Sequence, residues 1–390
     1  MEELGFAGKI RGGKSNKTFM LLSAFGILFV IDAHVWTGIS FLSQIFPYDS
    51  FFMPMFIFIS GYFFKPSSSE NFVAAFRFIG KKFKGLMLPY FFWIAFYGVL
   101  TLLLRKLGII SFGSSTLKSL LVSIFSSGTS FGFNSPSWFI PSLFCVCAVY
   151  CIIKRLLSRV WNDAVFTAVF ILLGMAAVYF SRKGFNNLYY MLLPLKTAFF
   201  LQFYQLGISF RKYFEALFDK MNTFAVCGGL AVINLGLFSI YGNNIAFPNC
   251  ATMSGFRTDN LLLPLITSAT GILFWLKLSK ELSRIWGNSR IINYISDNTF
   301  FIMTHHLLFK CLFSGLLIFG KKLGISCLSA VSVADFKTTP WYVFSAFPWV
   351  KAAYFIFTLV SVLAACFVYN HIKKFLLQKI KCGGRADDKQ

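Results

Sequence analysis

The chain has 390 residues, 57% of them hydrophobic and 13% charged, with 52 phenylalanines. One water-soluble core cannot hide that much apolar surface, so composition excludes a soluble globular domain and places the chain in a lipid bilayer. The net charge of +23 comes with no RNA- or DNA-binding motif. It implies no nucleic-acid partner, and a basic cytoplasmic face beside anionic membrane lipid accounts for it.

The apolar residues gather in long blocks between short basic segments, unlike the weak alternation of a membrane β-barrel. The expected fold class is therefore all-α, a polytopic membrane helical bundle. At about 20 residues per crossing, ten spans emerge in chain order: 19–36, 51–64, 86–104, 138–153, 164–180, 189–210, 223–241, 261–278, 299–319 and 349–369. The second is short and crosses only if it starts near Pro47 or the bilayer thins locally. Together they form one membrane domain, residues 19–369, between a basic N-terminus (1–18) and a basic tail (370–390). The N-terminal segment lacks the pattern of a cleavable signal, so the first span is expected to remain as an anchor. Residues Lys373 to Lys381 fit a basic amphipathic helix on the inner leaflet.

Ten spans put both termini on one side, and that side holds 25 of the 37 lysines and arginines against 9 on the other. The positive-inside rule then places both termini in the cytoplasm. The nine cysteines show no paired CxxC spacing, so no metal is expected. Most lie in spans and read as small apolar filler. Only Cys250 and Cys327 fall on the outer face, where a disulfide between them is conceivable.

Ionisable groups inside a membrane are costly and therefore candidates for function. The inventory is Asp32, His34, Lys196, His305, His306 and Lys310. Neutral histidine accepts a proton near physiological pH, which suits general-base work. His34 in "VIDAHVWTG" and the pair in "FIMTHHLLFK" sit on two helices and can converge. Neighbouring residues on a helix point about 100° apart, so only one of His305 and His306 can face a given cavity. The same geometry keeps Asp32 from orienting His34 directly. Against a chemical role stands the plainer one, an interhelical hydrogen bond that holds the bundle together.

The stretches "MPMFIFISGYFF", "KKFKGLMLPYFFW", "SWFIPSLF" and "NTFFIMTHHLLF", in that order, resemble the acyltransferase-3 family of integral membrane O-acyltransferases, particularly its sugar O-acetylase-like members. The resemblance implies a catalytic histidine late in the first span, the position of His34, and a second at His306, seven residues after Thr299 in the family's Asn-Ser/Thr pattern; His305 is then the extra one. It also implies an arginine eleven residues before the first histidine, where this chain has Ser23, with Lys17 the nearest upstream cation. Lys84 matches a basic family position after the second span, and Trp138 with Phe139 matches the "WF" opening the fourth.

The activity implied is transfer of an acyl group, most often acetyl from acetyl-CoA as co-substrate, to a hydroxyl of a cell-surface polysaccharide or lipid-linked sugar in the bacterial cytoplasmic membrane. In that reading His34, with Asp32 and His306 nearby, is catalytic. Lys81, Lys82, Lys84 and Lys17 bind the polyanionic donor, although the positive-inside rule alone explains Lys81 and Lys82. Pro54 kinks the second span and Gly61 lets helices approach, while Ser60, Tyr62 and Trp138 are expected to line the acceptor side of a cavity beside His34. The long connections 128–138 and 241–260 offer aromatic and polar surface for a glycan, or are ordinary mobile links. The competing reading is a secondary transporter or exporter of a lipid-linked sugar, with Asp32, His34, His306 and Lys310 as a proton relay. The paired repeats common in transporters are missing from the sequence.

Overall fold

The structure is a computed structural model that describes residues 16–35, 42–113, 122, 132–247 and 250–383. Among these residues there is no strand. The helices in chain order are α1 (Lys17–Val35), α2 (Leu42–Ile45), α3 (Tyr48–Tyr62), α4 (Phe72–Lys82), α5 (Leu88–Lys106), α6 (Phe139–Leu157), α7 (Asp163–Arg182), α8 (Tyr189–Ser209), α9 (Glu215–Lys220), α10 (Thr223–Tyr241), α11 (Leu263–Trp286), α12 (Arg290–Asp297), α13 (Thr299–Lys322), α14 (Val333–Thr338) and α15 (Pro348–Gly383). Asparagine opens several of them: the side chains of Asn16, Asn71, Asn162 and Asn222 accept backbone N–H groups in the first turns of α1, α4, α7 and α10.

Seven described helical stretches are long and apolar enough to cross a membrane: 17–35, 72–106, 135–157, 163–182, 223–245, 299–322 and 349–375. The other three expected spans are helices too, α3, α8 and α11, but they fall short of that length or hydropathy. Their position explains the difference. Helix α3 packs against α1, α8 and α11, and twelve of its fifteen residues are buried. Helix α8 buries Lys196, Gln202 and Gln205, and α11 buries Thr267, Ser268, Thr270 and Lys277. By contrast, α10 buries only Val226 and Asn234. In lipid the outer helices are apolar all round, whereas enclosed helices carry polar groups that bond across the bundle.

Two boundaries differ from the sequence reading. The third expected span belongs to a helical run from Phe72 to Lys106 that widens into a π-turn at 83–87, just before Pro89. Proline has no N–H to give the preceding turn, and a π-turn absorbs that loss without ending the helix. The last span and the basic helix expected after it are one helix, α15. No disulfide joins Cys250 to Cys327: Cys250 is buried, Cys327 is exposed, and both are free thiols.

Helix α3 shows how its breaker is tolerated. Pro54 cannot donate to the carbonyl of Ser50, and the hydroxyl of Ser268 on α11 donates to that carbonyl instead, at 2.6 Å. Replacing Ser268 by alanine leaves the carbonyl buried and unpaired. That should cost about 1–2 kcal/mol of unfolding free energy in detergent, against no measurable loss for Ser239→Ala, whose hydroxyl only bonds its own exposed helix.

Helices α1 and α3 run antiparallel. Phe19 packs on Tyr62 with ring centroids 4.0 Å apart, and Phe29 stacks on Tyr48 at 4.6 Å. The end of α3 therefore sits at the beginning of α1. There Arg211 donates to the carbonyls of Tyr62 (2.6 Å) and Phe64 (2.8 Å), and the Tyr62 hydroxyl donates to Glu215 at 2.6 Å. At the same end, the buried ammonium of Lys277 donates to the carbonyls of Phe218 and Met221, both at 2.7 Å. Lys277 thus ties α9 to α11, a structural task beyond its place in the charge asymmetry.

Candidate active site

The site is built at the far end of α1. His34 lies in its last turn and is half-buried, and His306 on α13 is fully buried. Their rings face each other, with His306 Nε2 3.3 Å from His34 Nδ1. His306 Nδ1 lies 3.0 Å from the Ile302 carbonyl, and His34 Nδ1 lies 2.6 Å from the Val30 carbonyl. A carbonyl oxygen only accepts, so both Nδ1 atoms carry the proton. This assignment leaves a lone pair on His306 Nε2, directed at the shared His34 Nδ1–H. It also leaves His34 Nε2 bare, the atom that can take a proton.

Two further groups complete the wall. Trp341 stacks on His34 at 5.4 Å with a 16° interplanar angle. The buried Lys310 donates to the His34 carbonyl at 3.4 Å and lies 5.8 Å from the Trp341 ring centroid. Trp341 is 47% exposed, so the site opens at the end of the bundle where α1 finishes. Lys310 was visible in the polar inventory. Trp341 stands in a loop outside every apolar span, and nothing in its sequence setting marked it.

His305 points elsewhere, as the 100° step demands. Its Nδ1 lies 2.7 Å from the Tyr97 hydroxyl, and Trp93 and Phe301 pack on its ring, each at 4.1 Å. This is a packing histidine between α5, α13 and α15. Replacing His305 by phenylalanine should remove one interhelical hydrogen bond, lower stability by about 1 kcal/mol, and leave the facing histidines in place. Catalytic turnover measured beside the unfolding curve checks this, and a deep loss of turnover at unchanged stability would contradict it.

Asp32 is buried one side of α1 away and makes no hydrogen bond to His34 among the described contacts. Ser23, three turns before His34 and hence on the same face of α1, is fully buried with no hydroxyl partner among the described residues. Lys17 does not stand in for an arginine there, because its side chain lies against Gly287 at the bundle's other end.

Ser60 and Tyr62 do not reach His34. Tyr62 packs on Phe19 and bonds Glu215, and Ser60 Oγ lies 3.7 Å from Cys147 Sγ. Fifteen residues of α1 separate Phe19 from His34, roughly 20 Å along the axis. The expectation of a cavity lined by those hydroxyls beside His34 is therefore corrected: the antiparallel run of the first two spans puts them at opposite ends. Trp138 is on the histidine side. It lies in a 3-10 turn packed against α13, with Lys196 Nζ 4.7 Å from its ring centroid.

Lys81, Lys82 and Lys84 line the other end. Phe64, two residues past Tyr62, packs on Phe78, and Lys82 lies over the Phe78 ring at 5.7 Å. Lys81 and Lys84 are exposed, and neither they nor Lys82 and Lys17 form ion pairs among the described residues. Lys84 precedes Tyr97, the partner of His305, by thirteen residues, again roughly 20 Å along the helix. The basic groups and the histidines thus occupy opposite ends of one bundle. Residues 1–15 and 36–41, and most of the 114–131 segment, lie outside the described residues, so the N-terminal basic segment and part of the 128–138 connection are not placed.

A family model described as an acyltransferase domain matches residues 20–376, nearly the whole chain. No curated protein and no solved structure matches the chain.

Proposed function

The chain belongs to the acyltransferase-3 family of membrane acyltransferases, and from that membership and the facing histidines we propose that it is an O-acetyltransferase. In this reading it moves acetyl from acetyl-CoA to a hydroxyl of a cell-surface polysaccharide or lipid-linked sugar. The observation that carries the proposal is the pairing of His34 Nδ1 with Val30 and His306, which holds one tautomer and leaves Nε2 free to act as base.

His34 Nε2 takes the proton of the acceptor hydroxyl, and the oxygen attacks the thioester carbonyl. As the carbon–sulfur bond breaks, CoA leaves as thiolate and recovers the proton from the imidazolium. While His34 is charged, its Nδ1–H stays bonded to the Val30 carbonyl and the His306 lone pair, which spreads the positive charge over a buried pair.

We read all ten helices, α3, α8 and α11 included, as crossings, with both termini in the cytoplasm of a bacterial cell and the basic tail on the inner leaflet. Lys17, Lys81, Lys82 and Lys84 then meet the donor phosphates at the cytoplasmic end. His34 sits near the outer face. A donor held by the lysines has to present its acyl group along the bundle, through the extended pantetheine arm or after relay to a second carrier.

The test is direct. Membranes carrying the protein receive acetyl-labelled acetyl-CoA, and base-labile label is counted in extracted glycan and lipid-linked sugar. Label above the vector control supports the proposal. No label, together with a sugar precursor accumulating on one leaflet of cells lacking the protein, would favour the exporter reading.

A further inference from the structure

The connection before α6 reaches the site by an uncommon route. Residues 132–140 are buried without interruption, although connecting segments normally run over a surface. Within it Asn134 is 1% exposed, and neither its amide nitrogen nor its amide oxygen has a hydrogen-bond partner among the described residues. Ser137 is 1% exposed, and its hydroxyl is equally unpartnered. An unpaired polar group at that depth is destabilising unless a ligand satisfies it. Asn134 precedes a 3-10 turn, Ser135–Trp138, where an asparagine side chain ordinarily caps backbone N–H groups; here it makes no such bond.

Three contacts tie this segment to the histidines. Gly132 lies against Pro340, the neighbour of the Trp341 that stacks on His34. Phe133 stacks near Tyr97 at 6.4 Å, which anchors the segment to the neighbouring face of α13 where Tyr97 bonds His305. Residues Ser135–Trp138 pack on α13 itself. A 3-10 turn repeats every three residues, so Asn134 and Ser137 present their side chains on the same side.

We propose that Asn134 and Ser137 form the acceptor subsite beside His34, hydrogen-bonding hydroxyls of a polyhydroxylated ring. The chemistry selects that ligand class. A carboxamide offers a donor and an acceptor on one plane, and a serine hydroxyl can be either. Neighbouring hydroxyls of a sugar match both, whereas a thioester carbonyl would satisfy only the donor and leave the amide oxygen buried and unpaired. The pair carries no charge, and Phe133 and Trp138 flank it with the aromatic surface that sugar rings favour. The inference rests on the acyl-transfer reading and assigns its acceptor side.

The experiment uses the full chain in membranes, acetyl-labelled acetyl-CoA, and the glycan and lipid-linked sugar fraction extracted from the native host. For wild type, Asn134→Leu and Ser137→Ala, the half-saturating amounts of acceptor fraction and of acetyl-CoA are measured with the melting temperature. Asn134→Leu should raise the half-saturating acceptor amount about tenfold, leave that of acetyl-CoA unchanged, and leave the melting temperature equal or higher, because a desolvated unpaired amide is gone. Ser137→Ala should shift the acceptor value in the same direction by about threefold. Unchanged acceptor dependence in Asn134→Leu, with wild type active, overturns the subsite alone. A lowered melting temperature in that variant also overturns it, since the side chain would then be structural. If Asn134→Leu does not fold, unchanged acceptor dependence in Ser137→Ala overturns the subsite. Absence of transfer by wild type overturns the acyl-transfer reading and the subsite with it.

Discussion

Replacing His34 by alanine is expected to lower acyl transfer about 100- to 10,000-fold while the bundle stays folded. Among the described residues the side chain bonds a carbonyl of its own helix and His306 and stacks on the half-exposed Trp341, so its loss removes one interhelical contact and one ring contact at the end of the bundle and leaves the core seams intact. The bare Nε2 is the single proton acceptor the facing pair presents outward, and alanine has none. His34→Gln supplies an amide that can hydrogen-bond but cannot hold a proton, and should fall as far as alanine. Transfer of base-labile label at matched expression, with helix content by circular dichroism, checks both variants. Retention of half the wild-type rate in either would remove His34 from the chemistry.

The second large effect is structural. A Cβ at Gly61 would collide with the Tyr204 carbonyl oxygen, and one at Gly207 with the Phe58 carbonyl oxygen. Both obstacles are backbone, so no rotamer change relieves them, and α3 and α8 would have to move apart along a buried seam. Gly61→Ala and Gly207→Ala should each lose about 1–3 kcal/mol or more. The double variant should lose less than the sum, because one separation relieves both clashes. Gly236→Ala on α10 is the control, since nothing lies within 4 Å of its Cβ position. Its helix propensity rises and its melting temperature should hold or climb. Unfolding in detergent reads all four, and a wild-type melting point for Gly61→Ala would mean that α3 and α8 are not in close contact.

Several parts of this arrangement were legible in the residues. Apolar runs long enough to cross a bilayer became helices, and that only one of His305 and His306 could join His34 follows from the 100° step, although the meeting of the two helices itself does not. Pro54 was readable as a freed carbonyl, though not that Ser268 would answer it. Other parts were hidden for physical reasons. Ser60 and Tyr62 looked close to His34 because they follow it soon in the chain, yet consecutive spans reverse direction and carry them to the opposite end. Trp341 and Asn134 lie in connections, where no periodicity shows which way a side chain faces. Hydropathy also understates α8 and α11. Their Lys196, Gln202, Gln205 and Lys277 are buried among other helices rather than set against lipid, and a sequence window cannot separate the two environments.

The facing histidines and the exposed lysines stand at opposite ends of the bundle. On the proposal that Lys84 binds the donor and His34 is the base, the acyl group would have to travel roughly 20 Å along the bundle. Ser23 carries a buried hydroxyl, unpartnered among the described residues, on the face of α1 that also holds His34.

The central claim is that His34 and His306 act as one proton-handling unit. The most direct measurement is the acyl-transfer rate of His34→Ala, His306→Ala and the double variant in the same membranes. Residues that serve one step lose their effects together rather than independently. The rate of the double variant should therefore equal that of His34→Ala, with His306→Ala alone retaining more activity than either. Losses that multiply, so that the double variant falls below His34→Ala by the full factor of His306→Ala, would show two independent roles and contradict the paired base.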